Sequence, residues 1–152
     1  MPRAPFQVGV LPFRQSKPDR EYLLFHRTDH LYWQCIAGGG EDAETPLAAA
    51  KREAFEEAGI PATFPYLSLQ TTASVAITEF KDAPMWDPDL LVVPIHYFGV
   101  RVDELEAQLS GEHLDCRWLG YDAAQTLLKW DSDKTALWEL EQRLKRGERP
   151  ML

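Results

Sequence analysis

Residues Gly38 to Ile60 read GGGEDAETPLAAAKREAFEEAGI, and the rest of the chain is organised around this stretch. Its second half is written as a helix. Thr45 is a good N-cap, Pro46 brings a preset φ to the first helical position, and Gly59 before Ile60-Pro61 stops it, so the spacing predicts a helix from Pro46 to Ala58. On that helix Glu53, Glu56 and Glu57 are related by i,i+3 and i,i+4 steps, which gathers three carboxylates on one side of a single turn. Leu47, Ala50, Ala54 and Ala58 make a neighbouring stripe that can pack on a sheet. The acidic side then runs along the edge of that contact, where it is both fixed and wet.

Like charges at this spacing destabilise a helix by about a few tenths of a kcal/mol per pair. Lys51 and Arg52 can offset this as a solvated charge network, or the carboxylates can hold a hard divalent cation. Mg²⁺ and Mn²⁺ suit oxygen ligands of this kind, keep several waters, and bind substrate phosphates. The run Gly38-Gly39-Gly40 just upstream lets the backbone approach a metal or phosphate closely.

Working outward, Phe6 to Leu11 alternates like a strand, 14 to 20 is a polar turn, and Glu21 to His26 reads as the hairpin partner. Trp33 to Ala37 is a short apolar strand that the three glycines are expected to stop. Beyond the helix, Leu67 to Ile77 and Leu90 to Val100 have the β-branched and aromatic content of strands, joined by a loop through Lys81 to Pro88 that can overhang a pocket. Cys116 to Leu119 reads as a further strand, Asp122 to Leu128 as a short helix, and Asp133 to Lys145 as an amphipathic one. This pattern predicts an α/β or α+β sandwich, a mixed sheet covered by helices.

A length of 152 residues with 45% hydrophobic content suits one domain, 1–152. No apolar run is long enough to span a membrane and the N-terminus lacks a signal-peptide pattern, so a cytoplasmic, non-membrane protein is expected. Cys35 and Cys116 lie in apolar contexts without metal-binding spacing and read as two buried, reduced thiols. The net charge of −8 and scattered basic residues argue against a nucleic-acid surface. An acidic protein still binds a small phosphate ester when divalent ions stand between carboxylates and ligand.

Gly38, five residues, Glu44, seven residues, then Arg52-Glu53-Ala54-Phe55-Glu56-Glu57-Ala58-Gly59-Ile60 resembles the Nudix box, with a small Ala54 where the family more often has a larger aliphatic residue. The resemblance implies a Nudix-type α/β/α sandwich and a Mg²⁺-dependent, or Mn²⁺-dependent, hydrolase that cleaves a phosphoanhydride bond by water attack at phosphorus. By position, Glu53, Glu56 and Glu57 look like metal ligands and the Gly38 carbonyl like a further one. Arg52 looks like the residue that orients a glutamate, while Glu44 and Gly59 hold the shape of the motif. The family often draws another carboxylate from outside the box; Glu112 is the candidate as ligand or general base, His113 is the alternative base, and an exposed turn residue is the plain reading of each.

Outside the box, His26 to Asp29, Tyr32 to Gln34, Gly111 to Leu119 and Trp130 to Leu137 are similar to the dihydroneopterin triphosphate and dATP pyrophosphohydrolase group, although Ala37 stands where that group has serine or threonine. This implies a small-molecule nucleoside or pterin polyphosphate as partner, and it carries no statement of oligomeric state. Arg27 is then a substrate contact or a surface charge, Trp33 and Trp86 stack on a ring or belong to the core, and Asp133 bonds the ligand or caps a helix. ADP-ribose, a dinucleoside polyphosphate or a nucleotide sugar is the alternative substrate. A regulator that binds nucleotide without cleaving it is the reading from a different class.

Overall fold

The computed structural model describes residues 3–15, 19–27, 31–103 and 113–152. Strands β1 (Arg3–Arg14), β2 (Glu21–Arg27), β3 (Trp33–Gln34) and β4 (Ile36–Glu41) precede helix α1 (Pro46–Ala58). Then come β5 (Tyr66–Ala76), β6 (Val92–Arg101), β7 (His113–Gly120), α2 (Tyr121–Leu127) and α3 (Asp131–Lys145). All seven strands join one sheet in the order β3-β2-β1-β6-β5, with β4 paired to β1 and β7 to β2. The long strand β1 is its spine, parallel to β6 and antiparallel to β2 and β4.

Alternation along the strands sorts the apolar residues into two layers. Val8, Val10, Leu23 and Phe25 point to the side covered by α1, where they meet Ala50, Ala54 and Ala58. Leu11, Phe13, Tyr22 and Leu24 point to the side of α2 and α3, against Ala124, Ala136, Leu137 and Leu140. The result is the expected α/β/α sandwich around a mixed sheet. Among the described residues no helix is long and apolar enough to cross a membrane.

Helix α1 has the expected bounds. The Thr45 side chain accepts the Ala48 N–H at 3.1 Å, Pro46 fills the first turn, and Gly59 ends the helix in the left-handed region at φ 71° with its N–H bonded back to Phe55 O. Helix α3 begins earlier than expected, at Asp131, so Asp133 lies within its first turn. Cys35 is buried and Cys116 half-buried, and both are free thiols.

The glycines correct one expectation. They do not stop the strand: β4 runs through all three, pairing Val8 with Gly38 and Gln7 with Gly39. The reason is close approach, since a Cβ on Gly38 would fall onto the Glu53 carboxylate and one on Gly40 onto the Phe6 ring. A Cβ on Gly39 would come within 2.7 Å of Arg3 Nη1. The missing side chains are the room that neighbouring side chains occupy.

Candidate active site

Arg52 is the hub of the acidic cluster. Its Nε and Nη2 donate to the two Glu44 carboxylate oxygens at 2.9 and 3.0 Å, and Nη2 also donates to Gly39 O at 2.7 Å. Nη1 reaches Glu53 at 2.9 Å and Glu56 at 3.2 Å. The planar fork thereby ties the glycine strand, the loop and the helix into one unit. Glu44 completes the turn by accepting the Glu41 N–H at 2.8 Å. Hydrogen bonding from Arg52, which outweighs partial burial, holds the Glu44 carboxyl below its usual range.

The carboxylates differ in exposure. Glu56 faces solvent, Glu53 is mostly covered, and Glu57 is only 2% exposed. Glu57 also lies close enough to Cys35 for its charge to push that buried thiol further up, after burial and Asp133. Among the described residues no three His, Cys, Asp or Glu side chains converge as a ready cation cage. Arg52 draws Glu53 and Glu56 to itself instead. The donor set still fits a hard cation: only carboxylate oxygens and a backbone carbonyl are offered, and the Gly38 cradle holds the Glu53 carboxylate against the strand. Glu112 lies outside the described residues, as does the side chain of His113.

On the other face of the sheet is a cavity of about 900 Å³. Gln34, Cys35, Tyr97, Ser132 and Asp133 are among its lining residues, as are Arg27, Tyr32 and Trp130. The Tyr97 hydroxyl donates to Asp133 Oδ1 at 2.8 Å and lies 2.7 Å from Ser132 Oγ, while Asp133 Oδ2 accepts the Cys35 N–H at 3.3 Å. Burial raises the Asp133 carboxyl above its usual value, and the bonds from Tyr97 and Cys35 only partly counter that. Gln34 is 4% exposed and its Nε2 finds no hydrogen-bond acceptor among the described residues.

Arg27 and Asp133 therefore stand at this cavity, and the Asp133 carboxylate is bonded to Tyr97 and the Cys35 N–H. The two tryptophans are placed otherwise. Trp33 is 9% exposed, its ring stacked on His26 at 4.9 Å with the Arg117 guanidinium 4.9 Å from its centroid, so its surface is already spent within the protein. Trp86 packs against Phe80 and donates its indole N–H to Arg3 O at 2.8 Å. Neither lines the cavity. Besides Tyr97, the aromatic rings at its wall are Tyr32 and Trp130, 5.3 Å apart and edge to face. The sequence placed both, and Gln34, in segments of interest without assigning them, and it gave no sign of Tyr97.

A family model described as NUDIX domain matches residues 5–138. The chain belongs to the Nudix family. It is 32% identical over 140 residues to the asymmetrical bis(5'-nucleosyl)-tetraphosphatase of Sus scrofa, covering 86% of this chain and 89% of that protein. It is also 28% identical over 138 residues to the dihydroneopterin triphosphate diphosphatase of Escherichia coli K12, covering 89% and 91%. A Listeria monocytogenes protein solved as a candidate NUDIX hydrolase superposes with a TM-score of 0.88 at 38% identity, over 98% of this chain and 100% of that one. This Nudix chain is a hydrolase, and pyrophosphohydrolase activity is the chemistry its relatives support.

Proposed function

We propose that this Nudix hydrolase acts on a nucleoside-triphosphate-like metabolite of the dihydroneopterin triphosphate or dATP type. Water attacks phosphorus, the new P–O bond replaces a phosphoanhydride bond, and the products are a monophosphate and pyrophosphate. The cavity beside the glycine strand carries the reading, since about 900 Å³ suits one heterocycle with its sugar or side chain. A buried Gln34 amide without an acceptor asks the ligand for one, and the Asp133 carboxylate asks for a donor. The edge of a base or pterin offers both. Tyr32 and Trp130 give it aromatic walls, and Arg27 a positive charge.

Glu53, Glu56 and Glu57, with the Gly38 carbonyl, would hold Mg²⁺ or Mn²⁺, and Glu112 stays the candidate for a further ligand or the base. When bound, the ion lowers the pKa of the attacking water and neutralises phosphate charge. Arg52 keeps Glu53 and Glu56 aimed from one guanidinium, and Glu44 keeps Arg52 in place. The 2% exposure of Glu57 restricts water around that carboxylate, which strengthens its interaction with any cation that reaches it.

A second reading, hydrolysis of a dinucleoside tetraphosphate, is favoured by the 32% identity to the Sus scrofa enzyme. The deciding experiment incubates the protein and Mg²⁺ with dihydroneopterin triphosphate, dATP, other NTPs, ADP-ribose and diadenosine tetraphosphate, and separates the products. Pyrophosphate from the first two bears out the proposal. Preferred cleavage of the tetraphosphate to ATP and AMP selects the second reading. Binding without turnover across the panel makes the domain a nucleotide-binding regulator.

A further inference from the structure

The two arginines nearest the glycine strand are held in opposite ways. Arg52 is saturated, with every nitrogen of its guanidinium bonded to a carboxylate or carbonyl. The Arg3 guanidinium lies against Gly39, with Nη1, Cζ and Nε at 2.7, 2.8 and 3.0 Å from where a Cβ would stand. Among the described residues it makes no ion pair, although Arg3 is the register partner of Glu41 and the chain carries a net charge of −8. It also lies over the Phe80 ring, 5.8 Å from Cζ to the centroid.

Strand alternation fixes which face of β4 this cation occupies. Ile36, Gly38 and Gly40 point to the α1 side, toward the core there, Glu53 and Phe6. Ala37 and Gly39 point the other way, and Ala37 lines the cavity. Arg3 thus continues the cavity's own face outward, one alternation step beyond Ala37, at the level where Glu53 lies against Gly38 on the reverse side. The turn between β5 and β6 fixes it there. Asp82 Oδ2 accepts the Arg3 N–H at 2.9 Å and the Trp86 indole donates to the Arg3 carbonyl at 2.8 Å, so the backbone is gripped from both sides while the guanidinium keeps its donors. The same turn carries Glu79 at the cavity rim.

We propose that Arg3 is a substrate phosphate contact, and that Trp86 and Asp82 position it. A ring seated in the cavity sends its phosphate chain along the Ala37–Gly39 face toward the carboxylates, and Arg3 is a cation without an ion-pair partner among the described residues on that path. Bidentate pairing with phosphate is what a planar guanidinium with free donors does best. The assignment rests on the Nudix activity and not on which heterocycle fills the cavity.

The test uses the full chain and inorganic pyrophosphate with Mg²⁺ as the probe, titrated calorimetrically, beside 2'-deoxyadenosine, which has no phosphate. Arg3→Met keeps an unbranched side chain and removes the donors; it should weaken pyrophosphate binding by about ten- to a hundredfold, as loss of charge-assisted bonds does, and leave nucleoside binding unchanged. Arg3→Lys should restore part of the affinity, because the charge returns without the fork. Trp86→Phe, which removes the indole donor, should have a smaller effect, a rise in KM for dATP with kcat retained. Pyrophosphate affinity within twofold of wild type in a folded Arg3→Met chain overturns the assignment and leaves Arg3 a strap for the turn. So does a wild type that binds no pyrophosphate, and hydrolysis of the substrate panel judges the family activity separately.

Discussion

Strand β4 has two working faces, built by opposite means. The acidic cluster on the α1 face comes from one contiguous stretch, Gly38 to Gly59: the glycine strand, the loop glutamate, the arginine hub and the three helical carboxylates. The cavity face is assembled from β1 to β6 and the start of α3, so that Gln34 of β3, Tyr97 of β6 and Asp133 of α3 meet only because the sheet brings them together. On the proposed reading, the first face performs chemistry common to a family, and the second chooses what receives it. Substitutions on the α1 face should therefore cost turnover on every substrate, and substitutions in the cavity should change the ranking of substrates.

The largest effect is expected from Glu57→Gln, which keeps the shape of a buried side chain and removes its charge. Turnover of every substrate in the panel should fall by more than the roughly 10–100-fold that loss of an outer-shell partner costs in metal sites. A variant that lost activity on one substrate alone would break the division between the faces. Arg52→Lys comes next. One ammonium cannot serve Glu44, Glu53, Glu56 and Gly39 O together, so about a 10–100-fold loss in kcat is expected, shared across substrates and eased by raised Mg²⁺.

The same division explains what the sequence disclosed. Helix α1 was legible to the residue because its cap, its proline and its terminal glycine act locally, within one turn of the positions they fix. The glycine run was misread as a stop, since glycine's usual meaning in a strand is weakness, and the neighbours that fill the space over Gly38, Gly39 and Gly40 come from α1 and β1. Trp86 drew attention as a ring in a loop, yet only the tertiary structure brings its N–H to a carbonyl some eighty residues away. Asp133 looked like a cap because aspartate near a helix start usually is one. Its true partners, Tyr97 within β6 and Cys35 between β3 and β4, are distant in sequence and leave no local trace.

Asp133→Asn probes the cavity face and should act on preference. The amide can turn its oxygen to the Cys35 N–H and its NH₂ to the Tyr97 hydroxyl, which then gives its proton to Ser132. Packing is kept, and the buried charge is gone. In the wild type the Asp133 carboxyl is raised, so the folded state holds its proton more tightly than the unfolded chain, and this group's contribution to stability declines as pH rises above the ordinary 3.8. The variant should lack that decline and melt no lower than wild type at pH 7. Its kcat/KM for the preferred heterocycle should drop about tenfold, through KM, while the other substrates change less. An equal loss on all substrates would place Asp133 with the chemistry and merge the two faces.

The smallest effect should come from a residue on neither face. Glu139 of α3 uses both oxygens to accept the Gln70 and Thr71 N–H groups, at 2.6 and 2.7 Å, with Thr71 Oγ1 and Arg143 Nε adding two more donors. These backbone groups lie in the stretch between Ser68 and Thr72 where β5 slips register against β6, so the carboxylate takes the place of strand partners. Burial alone would raise this carboxyl, but the bonds from Gln70, Thr71 and Arg143 prevail and hold it below the ordinary 4.5. A depressed carboxyl stabilises the fold above its unfolded value, and that contribution is lost as the pH falls below 4.5 toward the folded value. In Glu139→Gln four donors face one oxygen and one NH₂, which should cost about 1–3 kcal/mol at pH 7, seen as a lower urea midpoint, and flatten the acid limb of the stability curve. Turnover per folded molecule and substrate ranking should both stay at wild type, because the bulge touches neither Arg52 nor Asp133. A shift in ranking without a loss of stability would mean that the β5 bulge shapes the cavity wall at Ala73 to Ala76, and would extend the specificity face across the whole edge of the sheet.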